Sequence, residues 1–100
     1  MENINADLIQ RCKARDEKAL HLLYRESYSL MKSIVLRYVF DQNEVADVLN
    51  RGFVKVANGL KSYDINKPLA PWIATVMVNE SPDYVRRTLR AKVKEEPYRL

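Results

Sequence analysis

DQNEVADVLNRGFVKVANGL, residues 41–60, decides how the rest of the chain is read. Val45, Val48, Leu49, Gly52, Phe53, Val56, Ala57 and Leu60 follow the i, i+3, i+4, i+7 spacing without a gap. That spacing gathers them on one side of a helix with about 3.6 residues per turn. Asp41 or Asn43 supplies the capping oxygen that accepts from the first free amides. The opposite side carries Glu44, Asp47, Asn50, Arg51, Lys55 and Asn58, a row that reads either as a solvated face or as a docking face.

Moving toward the amino terminus, Ala19, Leu20, Leu23, Tyr24, Ser27, Met31, Ile34, Val35 and Tyr38 recur at steps of one, three and four. They predict a long helix with a wide apolar face, capped by Asp16 and ending near Phe40. A charged break, KARDEK, separates it from a short first helix capped by Asn5, with Leu8, Ile9 and Cys12 at helical spacing. His21, the only histidine, stands beside leucines and is expected to be a partly buried helix residue.

Toward the carboxyl terminus, KSYDINKPLAP (residues 61–71) cannot continue as helix, because Pro68 and Pro71 lack amide hydrogens and push the residues before them toward extended geometry. It predicts an exposed loop. A fourth helix is expected to begin near Pro71, a residue tolerated in a first turn. Pro82 then interrupts the pattern, since proline in a helix interior costs about 3 kcal/mol. Either one helix is kinked there, or two helices run from about 71 to 80 and from 82 to 94, with Ser81 capping the second. The end of the chain, residues 96–100, is expected to fray.

These segments predict an all-α fold, a compact bundle of about four helices within one domain over residues 1–95. Composition agrees: 100 residues with 47% hydrophobic and 30% charged side chains suit a single globular domain with a modest core. Two glycines and four prolines supply few turn signals for a strand-rich fold. No apolar run reaches the roughly 18 residues of a membrane span, and MENINADLIQ lacks the features of a secretory signal, so a cytoplasmic location is expected.

Cys12 is the only cysteine, so neither an internal disulfide nor a cysteine-based metal site forms within one chain. With one histidine and no glycine-rich phosphate loop, the sequence carries no catalytic constellation, and the expected class is a binding protein, not an enzyme.

The net charge of +4 is unevenly placed: residues 1–50 hold seven Lys/Arg and eight Asp/Glu, residues 51–100 ten and five. A basic second half suits a phosphate backbone, from which Lys and Arg release counterions. On a helix, Ile73, Met77, Tyr84 and Val85 fall broadly on one side, while Thr75, Asn79, Asp83, Arg86 and Arg90 gather on the other. Asn79 has the amide that pairs bidentately with a base edge; Arg86, Arg87 and Arg90 suit phosphates. Lys61, Tyr63, Lys67 and Trp72 put charge and aromatic rings around the loop, although a tryptophan there equally anchors a core.

Three strings in this order, DLIQRCKARDEKALHLLYRESY (residues 7–28), EVADVLNRGFVKV (44–56) and PWIATVMVNESPDYVRR (71–87), resemble region two of extracytoplasmic-function sigma factors. The resemblance spans about residues 7 to 91. It implies a transcription-initiation module that binds the clamp helices of the RNA polymerase β′ subunit and recognises the promoter minus-ten element while its strands separate, with no metal or nucleotide cofactor. By that resemblance Glu44, Asp47, Asn50 and Arg51 lie on the polymerase-facing helix, with Phe53 toward the core. The loop 61–71 cradles an extruded base, and Asn79, Asp83, Arg86 and Arg87 follow the non-template strand.

An anti-sigma factor is a further partner that the resemblance allows. The chain departs from the family pattern at Arg51, where an acidic residue is usual; at Leu69, where an aromatic is common; and at Pro82, where an aliphatic residue continues the helix. By the resemblance these 100 residues are expected to correspond to region two alone, without the family's helix-turn-helix domain for the minus-thirty-five element. These departures sustain an alternative, a sigma-like helical protein-interaction domain without promoter melting. A membrane-surface helix fits less well, because the apolar side is needed for the core.

Overall fold

Three helices start on side chains that the sequence marks as caps. Asn5 Oδ1 accepts from the Leu8 amide at 2.8 Å and opens α1, Ala6–Lys13. Asp16 Oδ1 accepts from Lys18 and Ala19 at 3.0 and 3.4 Å and opens α2, Glu17–Val35. Asp41 Oδ1 accepts from Asn43 and Glu44 at 2.8 and 3.2 Å and opens α3, Gln42–Gly59. A 3₁₀ turn, Leu60–Ser62, extends α3, and after a loop α4 occupies residues 69–81. The structure, a computed structural model, describes residues 4–81, and no strand occurs among them.

The expected all-α architecture is therefore present. Leu8, Ile9 and Cys12 of α1, Leu23, Met31 and Val35 of α2, Val48, Leu49 and Val56 of α3, and Ile73 and Met77 of α4 share one buried core. Each of the larger side chains contributes about 1.5–3 kcal/mol on burial. Gly52 brings α3 close to α4: a Cβ there would stand 2.5 Å from Met77 Sδ. Gly59 does the same nearer the loop, where a Cβ would lie 3.0 Å from Trp72 Cζ2. Burial in the core pushes the Cys12 thiol pKa up from its ordinary value.

α1 and α2 meet without a spare residue. The Arg15 amide donates to Cys12 O and the Asp16 amide to Arg11 O, both at 3.0 Å, the two bonds of a Schellman closure. The closure needs a left-handed residue, and Arg15 fills that place at φ 64° where glycine is more usual. Its guanidinium donates to Asn58 Oδ1 near the end of α3. Asp16 both completes this closure and caps α2.

Two expectations need correction. α2 ends at Val35, short of Phe40. Arg37 donates to Ile34 O and Tyr38 to Val35 O, i→i−3 bonds that tighten the final turn and change the angle between successive side chains. As a result Val39 is buried, Tyr38 is exposed and Phe40 is 83% exposed. His21 is exposed, not partly buried: the α2 face that faces the core runs through Ala19, Leu23 and Ser27.

α4 begins two residues before Pro71, which then sits in the first turn, where a missing amide forfeits no intrahelical bond. Ser81 is part of this helix, and its side chain is buried. The break or kink expected at Pro82 and the tail 96–100 lie outside the described residues.

Candidate nucleic-acid interface

The loop between α3 and α4 is held from within by Tyr63. Its ring is 6% exposed, packs against Trp72 with centroids 5.0 Å apart, and its hydroxyl donates to Lys67 O. Burial pushes the Tyr63 hydroxyl pKa upward. Asp64 shapes the tip: Oδ1 accepts from the Asn66 amide at 2.9 Å, and its carbonyl accepts from Lys67 N–H at 3.0 Å. From outside the loop, Lys13 Nζ donates to the Tyr63 carbonyl at 2.8 Å.

This arrangement divides the residues expected to meet DNA. Lys61, in the 3₁₀ turn, and Lys67, on the braced loop, are both exposed. Tyr63 is a support of the loop and not an open stacking platform, because its ring and hydroxyl are both engaged. Trp72 is half-buried between Tyr63 and Gly59, the position of an anchor that joins α4 to the loop.

Further along α4, Asn79 is exposed seven residues after Trp72, two helical turns or about 10 Å away on the same side. Thr75, between them, is also exposed, and its hydroxyl donates to Pro71 O at 3.0 Å. Asp83, Arg86, Arg87 and Arg90 lie outside the described residues.

Glu80, next to Asn79 in sequence, is a buried charge that the sequence reading did not single out. It is 2% exposed, and Lys55 Nζ lies 2.5 Å from its Oε2, tying α3 to α4 directly beside Asn79. The signal was there to be read: Glu80 follows Met77 by three and Ile73 by seven, which puts it on the core side. A carboxylate at such a position demands a partner, and Lys55 on the facing helix provides one.

On the outer side of α3, Glu44 and Asp47 are half-buried, while Asn50 and Arg51 are exposed. Arg51 Nε stands 3.2 Å from Asp47 Oδ2, four residues earlier on the helix. An acidic residue placed amino-terminal to a basic one at this spacing is the favoured order. Arg51 therefore acts on Asp47 directly. Asn50 also borders a groove of about 550 Å³ between α2 and α3, whose walls include Tyr28, Lys32, Phe40 and Gln42. Phe53, expected in the core, is half-buried and meets Tyr24 edge-on at 5.0 Å.

Comparison with known proteins places this geometry. The chain is similar to the ECF RNA polymerase sigma-E factor of Haemophilus influenzae, with 25% identity over 89 residues, covering 89% of this chain and 47% of that protein. It is 30% identical over 78 residues to the sigma-E factor of Escherichia coli K12, covering 78% and 40%. The chain thus spans about half the length of these relatives or less.

Among solved structures, it resembles an engineered region 2 of sigmaE in complex with GTAAAA, determined by NMR: the TM-score is 0.80 at 30% identity, covering 91% of this chain and 96% of the other. Residues 23–91 match the family model for Sigma-70 region 2. On that match, which takes in α3, the braced loop and α4, the chain belongs to the Sigma-70 region 2 family.

Proposed function

We propose that this chain is a promoter-recognition module of a bacterial transcription-initiation factor, acting in the cytoplasm by binding and not by catalysis. It docks through the outer side of α3 on the β′ clamp helices of RNA polymerase. Through the loop and α4 it takes up the non-template strand of the promoter minus-ten element as the duplex opens. The observation that carries this reading is the likeness, over 91% of the chain, to a region 2 of sigmaE in complex with GTAAAA.

The physical roles follow from the placement of the side chains. Lys61 and Lys67 neutralise phosphates beside the loop, an attraction that weakens as salt rises. Asn79, exposed on α4, offers both a donor and an acceptor to a base edge. A base leaving the duplex stack costs a few kcal/mol, which a preformed loop offsets better than a mobile one. Asp83, Arg86, Arg87 and Arg90 extend the same strip in sequence.

Single-stranded GTAAAA and its single-base variants, titrated by fluorescence anisotropy, test this reading. The expected result is sequence-dependent binding that Asn79→Ala weakens, with little binding to the corresponding duplex. Absence of binding to every single-stranded probe would overturn it. The second reading, a sigma-like protein-interaction domain, draws support from one contact, the Arg51–Asp47 ion pair on the docking side of α3.

A further inference from the structure

α1 lies outside the residues matched by the family model, which begin at 23, yet it reaches the one loop on which the proposed function depends. Lys13, in the last turn of α1, places its ammonium 2.8 Å from the carbonyl of Tyr63, a residue fifty positions later. Two residues on, Arg15 holds Asn58 near the end of α3, just before the chain enters the 3₁₀ turn and the loop. α1 and the junction after it therefore grip both the approach to the loop and its first residue.

The loop's other bonds are local: Tyr63 to Lys67, and Asp64 to Asn66 and Lys67. They fix the shape of the tip but do not fix its position relative to the helices. The ring of Tyr63 against Trp72 supplies one anchor to α4, and Ile65 packs against the core. The Lys13 ammonium adds a directional anchor from α1. A hydrogen bond with a charged donor is stronger than a neutral one, enough to hold one loop placement over others.

We infer that Lys13 is a positioning residue for strand recognition. By fixing the Tyr63 carbonyl it sets where the loop presents Lys61 and Lys67 relative to Asn79, and so sharpens discrimination between bases without touching DNA itself. The inference rests on the promoter reading above. It also makes α1 a working part of the recognition surface and not only a cover for the core.

Lys13→Met keeps the aliphatic stem and removes the ammonium, and Lys13→Arg restores a donor. Two measurements on the full chain separate the possibilities. Amide hydrogen exchange, made without DNA, is expected to rise for residues 60–68 in Lys13→Met while α2 and α3 stay protected. Anisotropy with GTAAAA and its single-base variants is expected to show the ratio between best and worst sequence falling about five-fold, an effect within reach of one charged hydrogen bond, with Lys13→Arg recovering most of it. The salt slope of binding is expected to stay unchanged, whereas removing a lysine that touches a phosphate would lower it by about one.

Unchanged exchange in the loop overturns the brace. A uniform loss of affinity with a shallower salt slope makes Lys13 a phosphate ligand and overturns the positioning role. Failure of the unaltered chain to bind any of the probes overturns the promoter reading and the positioning role with it, while the exchange data still report on the brace.

Discussion

Met77 lies over Gly52 with its thioether in the space that a side chain at position 52 would need, so any larger residue there must displace the end of Met77. Gly52→Ala displaces the end of Met77, which opposes a helix-propensity gain of about 1 kcal/mol, so its net cost is expected to stay below the roughly 1–3 kcal/mol usual for overpacking a core. Met77→Ala alone leaves a cavity and costs about 2–5 kcal/mol. Combined, the two changes are expected to cost less than their sum, because the alanine methyl enters the space the thioether vacates. Urea unfolding of the four proteins in this cycle checks the coupling.

Lys55→Met removes the cation beside the buried Glu80 carboxylate. Loss of one partner of a fully buried pair costs about 3–5 kcal/mol. Here the Lys55 side chain is 55% exposed, and solvent screening reduces the expected loss to about 1–2 kcal/mol. Chemical denaturation measures this. Because Asn79 adjoins Glu80, the same variant is expected to weaken single-strand binding more than its effect on stability alone would predict; unchanged affinity would separate the pair from the DNA face.

Asp16 ties stability to acid pH. Its carboxyl pKa is held below the ordinary value of 3.8, first by the Ala19 amide and then by the Arg11 side chain. The folded form therefore resists protonation more than the unfolded chain does. The resulting stabilisation is complete above the unfolded value and is lost as pH falls through the lowered, folded one. Asp16→Asn also caps a helix but does not titrate. Thermal melts of the two proteins are expected to lie furthest apart near neutrality and to converge below pH 3.8.

Arg51→Glu replaces a partner of Asp47 with a second negative charge. The exposed pair contributes no more than about 0.3–0.5 kcal/mol, so the melting temperature is expected to change little. Binding to the β′ clamp helices is expected to strengthen, as Asp47 is released to meet a basic surface. A pull-down comparing the two proteins checks it, and equal or weaker binding would argue against α3 as the docking side.

What the sequence discloses follows from how far each interaction reaches along the chain. Asn5 and Asp16 cap their helices as read, and of the two residues offered for α3 Asp41 is the cap, because a cap bonds to amides two or three residues away. The apolar faces of α3 and α4 are legible for a similar reason: their period is local. The end of α2 is not, since LRYVF, residues 36–40, contains no glycine or proline, and a tightened turn ends the helix instead. Lys13 and Tyr63 meet across fifty positions, and no local pattern announces that meeting. Burial of Tyr63 is hidden by the same distance, so a loop aromatic among lysines reads as a platform when it is a strut.

The join between α1 and α2 behaves as a gear with no play. Asp16 closes one helix and starts the next, and Arg15 is the single left-handed residue between them. One residue inserted there would break the closure that spaces α1 from α2 and with it the placement of Lys13 against the loop. If the proposed promoter reading holds, the length of this junction bears on recognition: selection on the loop and α4 would be felt as intolerance of insertions fifty residues upstream.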